Sequence, residues 1–296
     1  MIRTSLLALL SAGAAQAQDV AVLTPYLSSV TTNEMVETFS AAAEERGWSV
    51  DVVDTRGDLG QLASRLEDVT GAGVDAIVLA SVDPAQIQDQ VSAAAEAGIP
   101  VAAIDGAMAP GVALNVTSDN FELGTNLSDF LFERMGGEGR IVKFYHSAHP
   151  GVRQRELALD EALAAHPGIE VIAEHYVQVP GPIDDARVAM ESILSRHGDE
   201  IDAVWAAWDE PAIGAHLALE GRADVIVAGI DGNPQAVQLI EECTHIVGTV
   251  RQDFEAMARR AAEELAAILA DGPGEPVDGR VPSILVTRES LGAECG

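Results

Sequence analysis

The chain has 296 residues, 48% of them hydrophobic, and carries 47 acidic against 17 basic side chains, a formal net charge of −30. An electrostatic field of this sign repels nucleic acid and anionic lipid head groups, so neither is an expected partner. The length suits one large domain or two lobes with separate hydrophobic cores.

Residues 1–17 have the pattern of an export signal. A positive charge at Arg3 precedes an apolar run over 6–15, and residues 15–17 form a small-x-small motif. The run is shorter than the roughly 20 residues that span a bilayer, and no later segment is long and apolar enough to anchor the chain. We therefore predict a signal peptide over 1–17, cleaved after Ala17, and a periplasmic mature protein.

From residue 18 onward, short β-branched segments alternate with longer Ala-rich amphipathic segments, which is typical of parallel sheets with helices on both faces. The first half predicts strand 20–23, helix 34–46, strand 49–53, helix 59–70, strand 76–80, helix 84–97 and strand 100–104. The second half predicts helix 123–134, strand 140–145, helix 152–165, strand 170–174, helix 184–196, strand 203–206, helix 211–219, strand 225–230, helix 234–241, strand 246–250, helix 254–270 and a strand near 284–287. The predicted fold class is α/β, with two doubly wound parallel-sheet lobes joined by several ordered crossings.

The sequence leaves two alternatives open for its cysteines, Cys243 and Cys295. An oxidising compartment permits a disulfide between them. Alternatively, one thiol is buried and the other lies on a frayed C-terminus.

Six short landmarks follow one another in register. They are Gly-Ile-Pro-Val at 98–101 leading to Asp105, Ser-Asp-Asn at 118–120, Arg-Gln-Arg at 153–155, the segment 203–215, Gly-Ile-Asp-Gly at 229–232 and Gly-Thr-Val-Arg-Gln at 248–252. Together they resemble the ribose-type sugar-binding branch of the type I periplasmic binding proteins, over nearly all of the chain beyond the leader. On this resemblance we expect a first lobe of residues 18–119 plus 253–284 and a second lobe of residues 120–252 plus 285–296, joined by a multi-strand hinge.

The resemblance also implies a function. We expect a monomeric receptor that binds a small sugar or sugar alcohol between its lobes, closes by hinge motion and docks on the membrane permease subunits of an ABC importer. A periplasmic sensor subunit for a histidine kinase or chemoreceptor is the alternative. No G-x-S-x-G, H-E-x-x-H or P-loop motif occurs, so we expect neither an enzyme nor a cofactor.

Nine residues are predicted to contact the ligand. Carried over from the family, the contacts are Ser29, Thr31, Asp105, Arg155, Asp231 and Gln252. Tyr26 and Trp208 are added as a stacking surface for an apolar sugar face, and His149 because His149-Pro150 resembles a His-Pro of glucose-and-galactose receptors. Carboxylates accept hydroxyl hydrogens, guanidinium groups donate to oxygens, and amides do both, so the set suits a polyhydroxylated solute.

The chain departs from the family's ribose binders, which have paired aromatic residues in the first loop and an Arg after the strand-end Asp. These places hold Thr31, Thr32 and Gly106, while Trp208 replaces an Asn. We therefore expect a small sugar or polyol other than ribose.

Several of these residues also have a structural interpretation. Asp105 and Asp231 could cap helices or form turns, Arg155 could pair with surface carboxylates, and Trp208 could fill the core. His146 and His149 lack further ligands at a recognised spacing, so we expect no metal site and interpret them mainly as solvated loop residues.

We make two further predictions, for Trp205 and Asp209, which lie near Trp208 in the sequence. Trp205 is predicted to be core, with its side chain opposite to that of Trp208 because side chains alternate along a strand. Asp209 is predicted to be a helix N-cap rather than a ligand contact.

Overall fold

The computed structural model describes residues 17–222 and 224–295. The predicted signal peptide therefore lies outside the described residues except for Ala17. In the described part, no helix combines the length and the apolar character that crossing a membrane requires.

Twelve strands and ten α-helices make up the part of the chain that the structure describes. The strands are β1 (Asp19–Thr24), β2 (Ser49–Asp54), β3 (Ala76–Ala80), β4 (Val101–Ile104), β5 (Val112–Ser118), β6 (Gly139–Tyr145), β7 (Ile169–Tyr176), β8 (Ala203–Ala206), β9 (Ile226–Asp231), β10 (Ile246–Gln252), β11 (Val277–Val281) and β12 (Ser283–Thr287). The helices are α1 (Val30–Glu44), α2 (Leu59–Ala72), α3 (Gln88–Glu96), α4 (Asn120–Arg134), α5 (Pro150–Ala165), α6 (Pro182–His197), α7 (Asp209–Ala218), α8 (Pro234–Glu241), α9 (Phe254–Asp271) and α10 (Arg288–Leu291), with 3-10 turns at Pro84–Ile87 and Gly198–Glu200.

Two six-stranded sheets form the frame of the two lobes. The first has the order β11-β5-β4-β3-β1-β2 and the second the order β12-β10-β9-β8-β6-β7. Every pairing is parallel except that of β10 with β12. The α/β class with two mostly parallel sheets is confirmed. The strand predicted near 284–287 is β12, and its antiparallel pairing at the edge of the second sheet is new.

Each sheet is buried on both faces. In β1, Val20 and Val22 pack into one core with α1 and α9, whereas Ala21 and Leu23 pack into the opposite core with α2 and α3. The second sheet likewise separates two cores. Because alternate strand residues point to opposite faces, a strand covered on both sides must be apolar throughout, which explains its unbroken hydrophobic run.

The chain crosses between the sheets three times, at 118–120, 252–254 and 281–283. Helix α4 follows the first crossing and packs in a core of the second sheet, and α9 follows the next and returns to the first sheet. Strand β12 begins at Ser283, so residues 283–284 belong to the second sheet although the sequence places them in the first lobe. Pro282 has no N–H for a ladder and separates β11 from β12.

Two strands and the start of α1 differ from the prediction. The sequence pattern does not assign β5, which carries buried polar residues, or β11, an edge strand with the sequence Val-Asp-Gly-Arg-Val of low strand propensity. Helix α1 begins at Val30 instead of residue 34, so Thr31 lies on a helix and not in a loop.

A disulfide joins Cys243 to Cys295, with their Cα atoms 5.6 Å apart. It connects the segment after α10 to the turn between α8 and β10. Of the two alternatives left open by the sequence, the structure has the disulfide.

Candidate ligand-binding site

A cavity that is partly open to solvent lies between the lobes at the carboxyl ends of the strands. Eight of the nine predicted contacts line it: Tyr26, Ser29, Thr31, Asp105, His149, Arg155, Trp208 and Asp231. The other lining residues are Ser28, Thr32, Ser81, His146, Val152, Val179, Pro182, Glu210 and Phe254. We call this space the cleft cavity. Its position follows from the parallel sheets, whose carboxyl ends bring loops and helix N-termini together.

Asp231 and Asp105 occupy strained positions at the ends of β9 and β4. Their φ angles are 129° and 53°, and Ser81 at the end of β3 has a φ of 56°. Residues other than glycine adopt positive φ values at a cost of about 1–3 kcal/mol, and such positions cluster at binding sites. The backbone thus turns at two neighbouring strand ends of the first sheet and at one strand end of the second, and each turn brings a polar side chain to the cleft cavity.

The Asp231 carboxylate is held by two partners from the second lobe. Gln252 Nε2 donates to its Oδ1 at 2.8 Å, and Arg155 Nη1 lies 3.6 Å from the same oxygen. Burial raises the pKa of Asp231 to about 7, and nearby Asp105 and Glu210 add to the increase, whereas Arg155 and Gln252 oppose it. The predicted contact Gln252 does not line the cleft cavity; its Nε2 supports the Asp231 carboxylate instead.

Arg155 is 2% exposed and fixed in orientation. Its Nε donates to Asn120 Oδ1 at 2.8 Å, and its Nη1 donates to the carbonyl oxygen of Ala207 at 2.7 Å. Helices α4 and α5 can approach closely here because Gly124 lacks a Cβ, which would lie 2.7 Å from the Arg155 backbone. The guanidinium is therefore a preorganised donor at the cavity, not a member of a surface ion pair.

Asp105 lies at the end of a chain of hydroxyl groups in the first lobe. The hydroxyls of Thr32 and Ser81 are 3.2 Å apart, and Ser81 Oγ donates to Asp105 Oδ2 at 3.3 Å. Asp105 Oδ1 is buried and has no hydrogen-bond partner within the described chain. An unsatisfied buried acceptor costs about 1–3 kcal/mol, so this oxygen is suited to a donor on a ligand.

Gly106, where the family's ribose binders have an Arg, leaves little room for a side chain. A Cβ at Gly106 would lie 2.7 Å from the carbonyl oxygen of Val82 and 3.1 Å from Ala103 Cβ. Neither neighbour can move away cheaply, because one is backbone and the other belongs to a buried strand. The cleft cavity therefore has no cationic side chain at this position.

Tyr26, His146 and His149 meet where the two lobes face each other. Tyr26 Oη lies 3.3 Å from His146 Nε2, whose ring Nδ1 donates to the carbonyl oxygen of Val177 at 2.9 Å. Burial raises the pKa of Tyr26 to about 12 and lowers the pKa of His146. His149 caps α5 and points its Nε2 toward Asp105 Oδ2 at 3.4 Å. The interpretation of these histidines as solvated was wrong, because closed lobes cover both rings.

The two tryptophans differ as side-chain alternation predicts. Trp205 is fully buried and donates to Ser128 Oγ at 3.1 Å. Trp208 lines the cleft cavity, and its Nε1 donates to Glu210 Oε2 at 3.1 Å. Burial raises the pKa of Glu210, whereas the indole of Trp208 and hydrogen-bond donors of Ser29 and Val30 lower it. Glu210 thus faces the N-terminus of α1 from the opposite lobe, where a carboxylate is stabilised.

Asp209 does not line the cleft cavity and is not the N-cap of α7, which is Trp208. Its carboxylate accepts the Thr249 hydroxyl at 2.8 Å and the Asn233 N–H at 2.7 Å. Burial, with Asp231 close by, raises the pKa of Asp209 well above its usual value. The residue fixes the loop that carries Asp231.

Sequence reasoning missed the cavity residues Glu210, Ser81, His146 and Phe254. Ser81 follows a predicted strand and could have been found by its position, but Glu210 directly precedes the predicted helix 211–219, and no pattern in the sequence marks it as a cavity residue. Among the described residues, no three His, Cys, Asp or Glu side chains are grouped as a metal site.

Contacts at the rim join the lobes directly. Arg153 Nη2 lies 2.5 Å from Asp83 Oδ2, and Gln86 Nε2 donates to the carbonyl oxygen of Ala148 at 2.7 Å. In both pairs, one residue belongs to the first lobe and the other to the second. The structure is therefore that of a closed cleft.

Comparison with known proteins agrees with this architecture. Residues 20–274 match the family model described as periplasmic binding protein domain. The chain is 30% identical over 235 residues to the ribose import binding protein of Bacillus subtilis, covering 77% of this chain and 73% of that protein. It is 31% identical over 200 residues to the xylitol-binding protein of Mycolicibacterium smegmatis, covering 66% of this chain but 56% of that relative.

A solved structure of another binding protein is also similar to this chain. An ABC transporter solute binding protein from Agrobacterium vitis with bound allitol superposes with a TM-score of 0.87 at 26% identity, covering 93% of this chain and 97% of that one. These relatives are binding proteins, which agrees with the expectation that the chain is not an enzyme. The chain belongs to the periplasmic binding protein family.

Proposed function

We propose that this protein is the periplasmic substrate-binding subunit of an ABC importer, and that its ligand is a small sugar or sugar alcohol held in the cleft cavity. The observation that carries the proposal is the set of buried, preorganised hydrogen-bonding groups that both lobes present to one cavity: Asp105 from the first, Arg155 and Asp231 from the second. Cleavage after Ala17 and a monomeric state are part of the proposal.

The chemistry of the cavity supports a polyhydroxylated solute. Carboxylates at Asp105 and Asp231 accept hydroxyl hydrogens, and Arg155 donates to hydroxyl or ring oxygens. The faces of Tyr26 and Trp208 supply apolar contact area for the carbon skeleton. The relatives named for ribose, xylitol and allitol make a pentose, hexose or alditol the first ligand class to test.

Binding and closure are linked in this proposal. Ligand that contacts Asp105 in one lobe and Asp231 in the other binds the closed form better than the open form, and so shifts the hinge equilibrium toward closure. The closed form then docks on the permease. The sensor alternative is not favoured, because the relatives carry import and transport names.

A thermal-shift screen of refolded, ligand-stripped protein tests the binding proposal. Pentoses, hexoses, alditols and their amino derivatives are compared, and a true ligand raises the melting temperature because it binds only the native state. Asp231→Ala should abolish the shift, whereas Asp129→Asn, an exposed change on α4, should retain it. A screen in which amino acids alone stabilise the protein would contradict the proposal.

Uptake by cells separates import from sensing. Deletion of the gene should abolish uptake of the ligand found in the screen, and the wild-type gene should restore it. Loss of a transcriptional or chemotactic response with uptake intact would favour the sensor instead.

A further inference from the structure

The wall of the cleft cavity has an excess of negative charge. Of the described side chains that line it, Asp105, Glu210 and Asp231 are carboxylates and Arg155 is a guanidinium. Arg153 is nearby, but its Nη2 is bonded to Asp83 at the rim, 2.5 Å away. The carboxylates are buried, so solvent screens their mutual repulsion less than it would at the surface.

The two histidines on the wall already have partners within the chain. His149 Nδ1 accepts the Gly151 N–H at 3.2 Å, which caps α5. His146 donates from Nδ1 to the carbonyl oxygen of Val177, and burial lowers its pKa, which favours a neutral ring whose Nε2 accepts from Tyr26.

One of the carboxylates is incompletely satisfied. Asp105 is 6% exposed, and its Oδ1 has no hydrogen-bond partner among the residues described. Its Oδ2 has Ser81 Oγ at 3.3 Å and His149 Nε2 at 3.4 Å, both at the long end of hydrogen-bond distances. A buried carboxylate with such weak partners is stabilised far more by a cation than by a neutral hydroxyl, because charge-assisted hydrogen bonds are about twice as strong.

Aromatic rings complete the surroundings. Tyr26 and Trp208 line the same cavity, and the face of such a ring attracts a nearby cation. Among the described residues, no Lys or Arg lies over the face of either ring. The aromatic groups and the carboxylates thus favour the same kind of ligand.

We propose that the ligand carries a positive charge: it is a small amino polyol or amino sugar whose protonated amine lies beside Asp105 and Asp231 and whose hydroxyls bind Arg155. This inference rests on the proposed function and narrows its ligand class. Glu210 adds to the negative potential near the amine, while its own oxygens face Trp208 and the start of α1.

Matched ligand pairs test the charge directly. Isothermal titration at pH 7 compares 1-amino-1-deoxy alditols of four to six carbons and 2-amino-2-deoxy hexoses with their parent alditols and hexoses. For the pair that fits the cavity, we expect the amine to bind at least tenfold more tightly than its parent. Parents that bind as tightly as their amines, or more tightly, would overturn the inference and leave the proposed function standing. Binding by neither series would overturn both.

Two further measurements separate charge from shape. In the wild-type protein, affinity for the amine should fall as pH rises through the pKa of the free amine, whereas affinity for the parent should not follow that titration. Asp105→Asn should reduce the preference for amine over parent about tenfold, and the control Asp129→Asn should leave it unchanged. If Asp105→Asn does not fold, the pH experiment with the wild-type protein is the test. An affinity for the amine that stays constant as pH rises through the pKa of the free amine would contradict the inference.

Discussion

Arg153 and Asp83 form an ion pair across the mouth of the closed cleft, with Nη2 and Oδ2 2.5 Å apart. Asp83 is almost fully buried and begins the turn after β3, whereas Arg153 lies in the first turn of α5 and also donates to the carbonyl oxygen of Ser147 at 2.7 Å. The pair exists only when the lobes are together. It therefore contributes to the free-energy difference between open and closed forms.

Arg153→Gln should weaken ligand binding although Arg153 does not line the cleft cavity. Removing a partly exposed ion pair costs about 0.2–1 kcal/mol, which lowers the closed population and so reduces the apparent affinity a few-fold. Titration calorimetry measures the affinity, and small-angle scattering measures the closed fraction. Arg259→Gln, which removes an exposed pair with Glu255 on α9, is the matched control. Equal affinities for the two variants would show that the rim pair does not bias closure.

Arg155→Met should be strongly destabilising as well as inactive in binding. The change leaves Asp231 buried without its cation and Asn120 Oδ1 without its donor. Breaking a buried pair in this way costs about 3–5 kcal/mol in the free energy of unfolding. Urea denaturation of the ligand-free variant measures this cost. The double variant Arg155→Met/Asp231→Asn should recover part of the stability that Arg155→Met loses. If it recovers none, Arg155 stabilises the fold mainly through its hydrogen bonds to Asn120 and Ala207.

Reduction of the disulfide should lower stability without changing the site. Cys243 and Cys295 are 52 residues apart in sequence, and a cross-link of that length stabilises by about 2–4 kcal/mol through the unfolded state. We expect Cys243→Ser/Cys295→Ser to lower the urea midpoint and to bind the ligand normally, because neither residue lines the cleft cavity. A loss of affinity in the folded double variant would indicate that the C-terminal segment influences the hinge.

The fold could be predicted from sequence where a strand is apolar on both faces. β1 and β3 are continuous hydrophobic runs, and their helices carry clear stop signals, so their positions agree within a residue or two. β11 could not be predicted, because it is stabilised by pairing with β5 and not by its own propensity. Such pairing depends on a chain segment more than a hundred residues away and leaves no local pattern.

The site shows the same division between local and non-local information. Asp105, Asp231 and Trp208 follow strands, so a rule about strand ends finds them without coordinates. The rule does not find Asn120 and Glu210, because each contacts a residue of another element. Asn120 binds Arg155, and Glu210 faces the start of α1. Their roles come from helix packing and lobe closure, which sequence spacing does not encode.

Loss of the proton from Asp231 should lower the free energy of unfolding of the ligand-free protein as pH rises from about 4 toward 8. Its pKa is about 7 in the folded state, against 3.8 for the unmodified group, because burial and the charges of Asp105 and Glu210 outweigh the effects of Arg155 and Gln252. Between these values the folded state binds more protons than the unfolded state, so the free energy of unfolding falls with increasing pH. Urea midpoints at pH 5 and pH 7.5 measure the slope, which Asp231→Asn should flatten and Asp129→Asn should not. A wild-type slope retained in Asp231→Asn would assign the titration to another buried carboxyl, with Asp209 the first to test.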